Sequence, residues 1–227
     1  MLDYSYLKRA SWGKGCFIED YILLTGIVAM LKPKTILEIG TSTGLGAVVL
    51  ANAAKQWRKD CNVYTIDVSQ KSGKNNLRLV PGIADYITFY EENTNSILPK
   101  WIKENRRFDL CFLDGDHSYR QANRDWNNLQ YLTNTWVLHD TTQHQGLQRL
   151  VATIRENKAF DVFQFASAPG HRYKPDLTKE GFITGMTLVQ KRSNLKILPR
   201  QAHRDDYGDL LNGHPEREVP KLPLLFP

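Results

Sequence analysis

Two kinds of apolar segment alternate along this chain. Short runs rich in β-branched and aromatic residues are followed by longer stretches in which apolar positions recur every three or four residues. The first long stretch, "IEDYILLTGIVAML" at 18–31, puts Ile18, Tyr21, Ile22, Gly26 or Val28 and Leu31 on one helical face. Lys32-Pro33 ends it, because the residue before a proline is pushed out of the helical region. Strands are predicted at 35–39, 61–68, 86–90, 108–114 and 135–140, and further helices at 43–56, 96–104, 118–132 and 145–157. "FDVFQF" and "GMTLVQKR" form a closing strand pair with no helical pattern between them.

Apolar strands separated by amphipathic helices make βαβ units, whose strands lie parallel and are covered on both faces. The expected fold is therefore α/β, a Rossmann-like doubly wound sheet of seven mostly parallel strands with an antiparallel last strand. The expected domain covers 1–192, with 1–17 as an N-terminal lid. Residues 193–227, with Pro199, Pro215, Pro220, Pro223 and Pro227, are expected to be a tail that wraps the surface or joins copies of the chain in a homo-oligomer. Ligands of such sheets bind beyond the carboxyl ends of the strands. The residues that matter most are then Glu38–Gly46, Asp67–Val68, Glu91–Asn95, Asp114–His117 and His139–Thr142.

Composition narrows the class of function. With 227 residues, 24% charged and 41% apolar, the chain has an ordinary globular mix. No apolar run is long enough to span a membrane, and the N-terminus lacks a signal peptide's apolar core, so a cytoplasmic protein is expected. Cys16, Cys61 and Cys111 have no metal-ligand spacing and are expected to be reduced and structural. The net charge of +6 is modest and spread along the chain, so nucleic acid is not the expected partner.

Candidate chemistry gathers at the predicted strand ends. "LEIGTSTGLG" carries Glu38, Gly40, Gly44 and Gly46 into a helix, whose unpaired amides favour an anion or a polar ligand. The glycine order differs from the G-x-G-x-x-G of dinucleotide sites, which argues against NAD. Asp67 ends the second strand, where an acid can accept from both hydroxyls of a ribose. An adenosine-type ligand without a pyrophosphate fits both features. Further along, "FLDGDHSY" ends the fourth strand with Asp114, Asp116 and His117, and "VLHDT" ends the fifth with His139 and Asp140. His144 and His171 follow in loops, either facing a substrate or lying on plain surface.

"LEIGTSTG", "FLDGDHSYRQANRDW" and "VLHDT" resemble the class I S-adenosylmethionine (SAM)-dependent methyltransferases. Within these, the chain is similar to the small bacterial branch of macrocin-type and cephalosporin-biosynthesis O-methyltransferases, and more distantly to catechol O-methyltransferase. The resemblance implies that Glu38, Gly40, Ser42 and Gly44 line the methionine part of SAM, that Asp67 holds the ribose and that Thr94 and Asn95 meet the adenine. Asp114 would border the cofactor and act in catalysis. It also implies a base at His117, where the catechol-type enzymes have lysine and the macrocin-type have histidine.

Asp114 and Asp140 would by the same resemblance hold Mg²⁺ or another divalent cation. The third ligand departs from the pattern. Catechol-type enzymes have asparagine where this chain has Thr141, and macrocin-type enzymes have glutamate where it has His139, an imidazole better suited to transition metals. A two-carboxylate site completed by water, a site of altered metal preference and a metal-independent site all stay open. The expected activity is methyl transfer from SAM to a hydroxyl of a small sugar or natural-product acceptor. A metal-independent methyltransferase and a non-catalytic SAM-binding scaffold are the alternatives.

Overall fold

A computed structural model describes residues 6–7, 16, 18–69, 77–166 and 185–192. The chain divides into two units, Met1–Lys191 and Arg192–Pro227, and the sheet described here belongs to the first. The predicted tail, His171 and most of the predicted lid lie outside the described residues.

The elements follow in the order α1 (Ile18–Leu31), β1 (Thr35–Ile39), α2 (Leu45–Lys55), β2 (Asn62–Asp67), β3 (Ile87–Glu91), α3 (Thr94–Lys103), β4 (Leu110–Leu113), α4 (Tyr119–Leu129), β5 (Thr135–Leu138), α5 (Gln145–Glu156), β6 (Phe160–Ala166) and β7 (Gly185–Lys191). The strands make a single seven-stranded sheet in the order β3-β2-β1-β4-β5-β7-β6. Pairing is parallel from β3 through β5, and β7 runs antiparallel between β5 and β6. Strand order reverses between β1 and β4, so the loops leaving these two neighbours diverge and open a crevice.

The pleat sends alternate side chains to opposite faces. Ile36, Phe112 and Val137 enter the core beneath α1 and α2, with Leu24, Val28 and Val48. Leu37, Cys111 and Leu138 enter the core beneath α3, α4 and α5, with Trp101, Trp126 and Leu150. Trp126 packs on Trp136 and Phe160 at ring separations of 4.8 and 5.3 Å. Burial on both faces is why β1, β4 and β5 are nearly continuous apolar runs.

The face of α1 differs from expectation. Ile22 is largely exposed, whereas Asp20 and Thr25 are buried beside Tyr21, Leu24, Ile27 and Val28. The helix is apolar almost all round, so its spacing selects no unique face. Its rotation matches a buried polar contact made by Asp20. No helix among the described residues is long and apolar enough to cross a membrane.

Candidate active site

The cleft forms where the β1 and β4 ends meet. The Asp114 amide donates to the Ile39 carbonyl and the Gly40 amide to the Ile66 carbonyl, each at 2.9 Å, so three strand ends are tied together. Gly40 has a φ of +96°, and a Cβ there would lie 2.2 Å from the Asp114 carbonyl oxygen. Only glycine allows that approach. The resulting cleft has a volume of about 500 Å³, the size of a small-molecule site.

One end of the cleft is built around Asp67. Its Oδ2 accepts from the Ser42 amide at 2.8 Å and its Oδ1 from the Ser69 amide at 3.2 Å. Each carboxylate oxygen keeps acceptor capacity for a ligand hydroxyl. Gly40, Ser42, Asp67 and Thr94 line the cleft. Glu38, Gly44 and Asn95, expected at the cofactor, are not part of its lining.

Glu38 is fully buried and accepts a short 2.5 Å hydrogen bond from Thr65 Oγ1, which also bonds Thr41 Oγ1. Burial raises its carboxyl pKa to about 8, against the Thr65 bond. It therefore stands behind the glycine loop as a largely protonated support. Gly44 caps α2 with a φ of +77°. Asn95 meets the side chain of Gln121.

Gln121 and Asp125 were not among the expected site residues, yet both line the cleft. Gln121 Nε2 donates to Thr94 Oγ1 at 3.1 Å and to Asp125 Oδ1 at 3.0 Å. Burial raises the Asp125 pKa. One sequence signal pointed there: Asp125 falls at core spacing with Ala122, Trp126 and Leu129, an acid on an apolar helix face.

The opposite end of the cleft contains Asp114, Asp116, His117, His139 and Asp140. Ser118 caps α4 by accepting from the Gln121 amide at 3.3 Å, and Asp116 Oδ1 accepts from the Ser118 amide at 2.7 Å. Hydrogen bonding from Ser118 lowers the Asp116 pKa, and the helix start is capped without His117. His117 Nε2 lies 3.6 Å from Asp114 and 3.7 Å from Asp140, which together raise its pKa despite partial burial.

His139 points the other way, into the protein. Its Nδ1 is 3.0 Å from Asp114 Oδ1 and its Nε2 is 3.2 Å from Asp20 Oδ2. Cys16 Sγ donates to the other Asp114 oxygen at 3.5 Å. Burial keeps Cys16 a thiol, its pKa pushed up to about 12. Burial also opposes a charge on His139, but its neighbours Cys16, Asp114 and Asp20 together outweigh it and hold its pKa well above that of a free imidazole. Burial alone would raise the Asp114 pKa; His139 and His117 instead bring it well below the usual carboxylate range.

Both nitrogens of His139 are thus engaged by carboxylates, and Nδ1 also lies 3.5 Å from Asp140 Oδ1. Asp20 and Cys16 belong to this cluster although no motif marks them. The three cysteines are buried and free, as expected, but Cys16 sits at the site.

Residues 37–141 match the model of a methyltransferase domain. A comparison with curated proteins finds no match. Among solved structures, the chain is similar to the O-methyltransferase TomG of Streptomyces achromogenes, involved in tomaymycin synthesis and solved with SAM. The TM-score is 0.66 and the identity 17%, over 84% of this chain and 91% of that one. It is also similar to the O-methyltransferase of Bacillus cereus in complex with SAH, with a TM-score of 0.64 and 18% identity over 79% and 84% of the two chains. The SAH-bound methyltransferase PaMTH1 of Podospora anserina gives 0.55 and 16%, over 77% and 78%. Residues 37–141 thus carry the likeness to a methyltransferase domain, and the chain is built on the fold that these O-methyltransferases share.

Proposed function

We propose that this methyltransferase takes its methyl group from SAM and delivers it to a hydroxyl of a small molecule of sugar or natural-product type. The observation that carries this reading is a single cleft with a ribose-type acceptor, Asp67, at one end and the Asp114–His117–Asp140 group at the other. SAM and SAH in the similar TomG and B. cereus structures support the same cofactor here.

The sulfonium of SAM is already reactive, so the protein's work is to align donor and acceptor and to take up the hydroxyl proton. The backbone amides of Ser42 and Ser69 orient Asp67 for the ribose hydroxyls. Thr94, Gln121 and Asp125 offer hydrogen-bonding groups for the base of the nucleoside. Glu38 and Gly44 act by shaping the loop under the methionine moiety. His117 is the side chain at the acceptor end whose Nε2 has no hydrogen-bond partner among the described residues, and it is the group that meets the acceptor hydroxyl.

The hard-cation site implied by resemblance, an all-oxygen site on Asp114 and Asp140, does not fit these residues. Both Asp114 oxygens are engaged, by His139 and by Cys16. The Thr141 hydroxyl, in the third-ligand position, is buried, donates to the Gly185 carbonyl at 3.2 Å and accepts from Thr187 at 2.8 Å. Of Asp114, Asp140 and Thr141, only Asp140 keeps oxygens free of hydrogen bonds for a cation that prefers several oxygen ligands.

Calorimetry with SAM on chelator-treated protein, followed by labelled-methyl transfer to a panel of hydroxylated acceptors, tests the proposal. SAM binding and label in an O-methyl product are expected. Absence of SAM binding would overturn the reading.

A further inference from the structure

Beside the all-oxygen position lies a different donor set. His117 on the β4–α4 loop, Asp140 at the end of β5 and His144 at the start of α5 converge, with one ligand atom of each within 4.8 Å of the others. Asp140 Oδ2 is 3.7 Å from His117 Nε2 and 3.6 Å from His144 Nε2. Two ligand atoms, each about 2.1 Å from a tetrahedral ion, stand about 3.4 Å apart. These separations are too long for hydrogen bonds and close to those around a shared ion.

Independent features point the same way. His117 Nε2 and Asp140 Oδ1 are buried without a hydrogen-bond partner among the described residues, the latter 3.5 Å from His139 Nδ1, and such atoms are costly to leave unsatisfied. Asp140 has a φ of +56°, a strained conformation for a non-glycine residue, of the kind that concentrates at functional sites. The same turn carries the His144 amide to the Asp140 carbonyl at 3.2 Å, which folds His144 back over the aspartate. The imidazoles of His117 and His144 lie 4.2 Å apart between ring centres, an unfavourable separation for two protonated rings. Gly146 allows the approach, since a Cβ there would lie 2.2 Å from the His117 carbonyl oxygen.

We propose that His117, Asp140 and His144 bind a borderline divalent transition ion such as Zn²⁺, with an open position facing the acceptor end of the cleft. Two imidazoles and one carboxylate suit such ions and not Mg²⁺. Three protein ligands with a free fourth position make a site of catalytic type. This deepens the proposed function and rests on it: a bound ion would fix the acceptor hydroxyl and lower its pKa. His117 then meets the acceptor as a metal ligand and not as the free base expected from the sequence.

The full-length protein is stripped with chelator and titrated with Co²⁺, followed by visible absorption, and then with Zn²⁺ or Mg²⁺ as competitor. One Co²⁺ binds with nitrogen- and oxygen-ligand bands, Zn²⁺ displaces it and Mg²⁺ at the same concentration does not. His144→Ala weakens Co²⁺ binding at least about a hundredfold, more than the loss of a supporting contact would. His144→Cys keeps the ion and adds a sulfur-to-cobalt charge-transfer band. A chain with His171, His203 and His214 all changed to alanine keeps the site.

Absence of Co²⁺ and Zn²⁺ binding, displacement by Mg²⁺, or unchanged affinity in His144→Ala overturns the site, as does a His144→Cys protein without the new band. SAM calorimetry on the stripped protein separates the two readings. Failure to bind SAM removes the methyltransferase reading, whereas SAM binding without a His144-dependent ion removes only the cation site.

Discussion

Asp20 Oδ2 lies 3.2 Å from His139 Nε2, tying the first helix to the end of the fifth strand across a span of 119 residues. Both side chains are almost entirely buried. Breaking a buried, charged pair from one side leaves the other charge uncompensated, at a cost of about 3–5 kcal/mol. Asp20→Ala is expected to lose that much in urea unfolding, and Asp20→Asn, which keeps an acceptor, clearly less. Equal and small losses in both variants would show that the pair carries no charge.

Glu38 gives the protein an unusual pH dependence. Its pKa is raised from an ordinary 4.5 to about 8 in the folded chain. Below about 4.5 the carboxyl is protonated in both states. Between the two values the unfolded chain releases the proton while the folded chain keeps it, so this group's contribution to stability falls as pH rises. Above about 8 the loss is complete. Glu38→Gln removes the effect and keeps an acceptor for Thr65. Its stability relative to wild type is expected to grow between pH 5 and 8, by an amount on the order of a few kcal/mol. Denaturant titrations across that range check this; parallel profiles for the two proteins would contradict it.

Asp67 tests the cofactor end. Loss of charge-assisted hydrogen bonds to a ribose is worth about 1.5–3 kcal/mol, or roughly ten- to a hundredfold in affinity. Asp67→Asn is expected to weaken SAM by that factor in calorimetry. Co²⁺ affinity in the same protein stays unchanged, because the two ends of the cleft share no ligand.

Gly40→Ala tests the seam between β1 and β4. The added methyl group would meet the Asp114 carbonyl at 2.2 Å, in a backbone conformation that alanine avoids. Strand ends would have to separate, and both SAM affinity and unfolding midpoint are expected to drop. Gly82, also at positive φ but with open space around its Cβ position, is the control. Gly82→Ala is expected to cost only backbone strain and to leave SAM binding intact.

Much of the fold was legible because parallel, doubly covered strands must be apolar throughout and their helices amphipathic. Two local patterns therefore separate cleanly in one sequence. The α1 range was read correctly and its face was not, since a helix apolar on nearly all sides carries no directional signal. Ser42, Asp67, Thr94, Asp114, His117 and Asp140 were singled out because they lie at or just after strand ends, and all six line the cleft that this architecture places there. Asp125 was passed over although its spacing put an acid among core residues.

By itself, the sequence determined which residues reach the carboxyl edge of the sheet, because strand ends are local features. Only the tertiary structure decided which of them meet. Strand order set β1 beside β4, and helix packing brought Asp20 to His139 and α5 against the 117–119 turn. His139 was thereby drawn into a buried pair, and His144 was brought to His117 and Asp140. Such pairings depend on distances between segments far apart in the chain, and residue type and spacing do not encode them one position at a time.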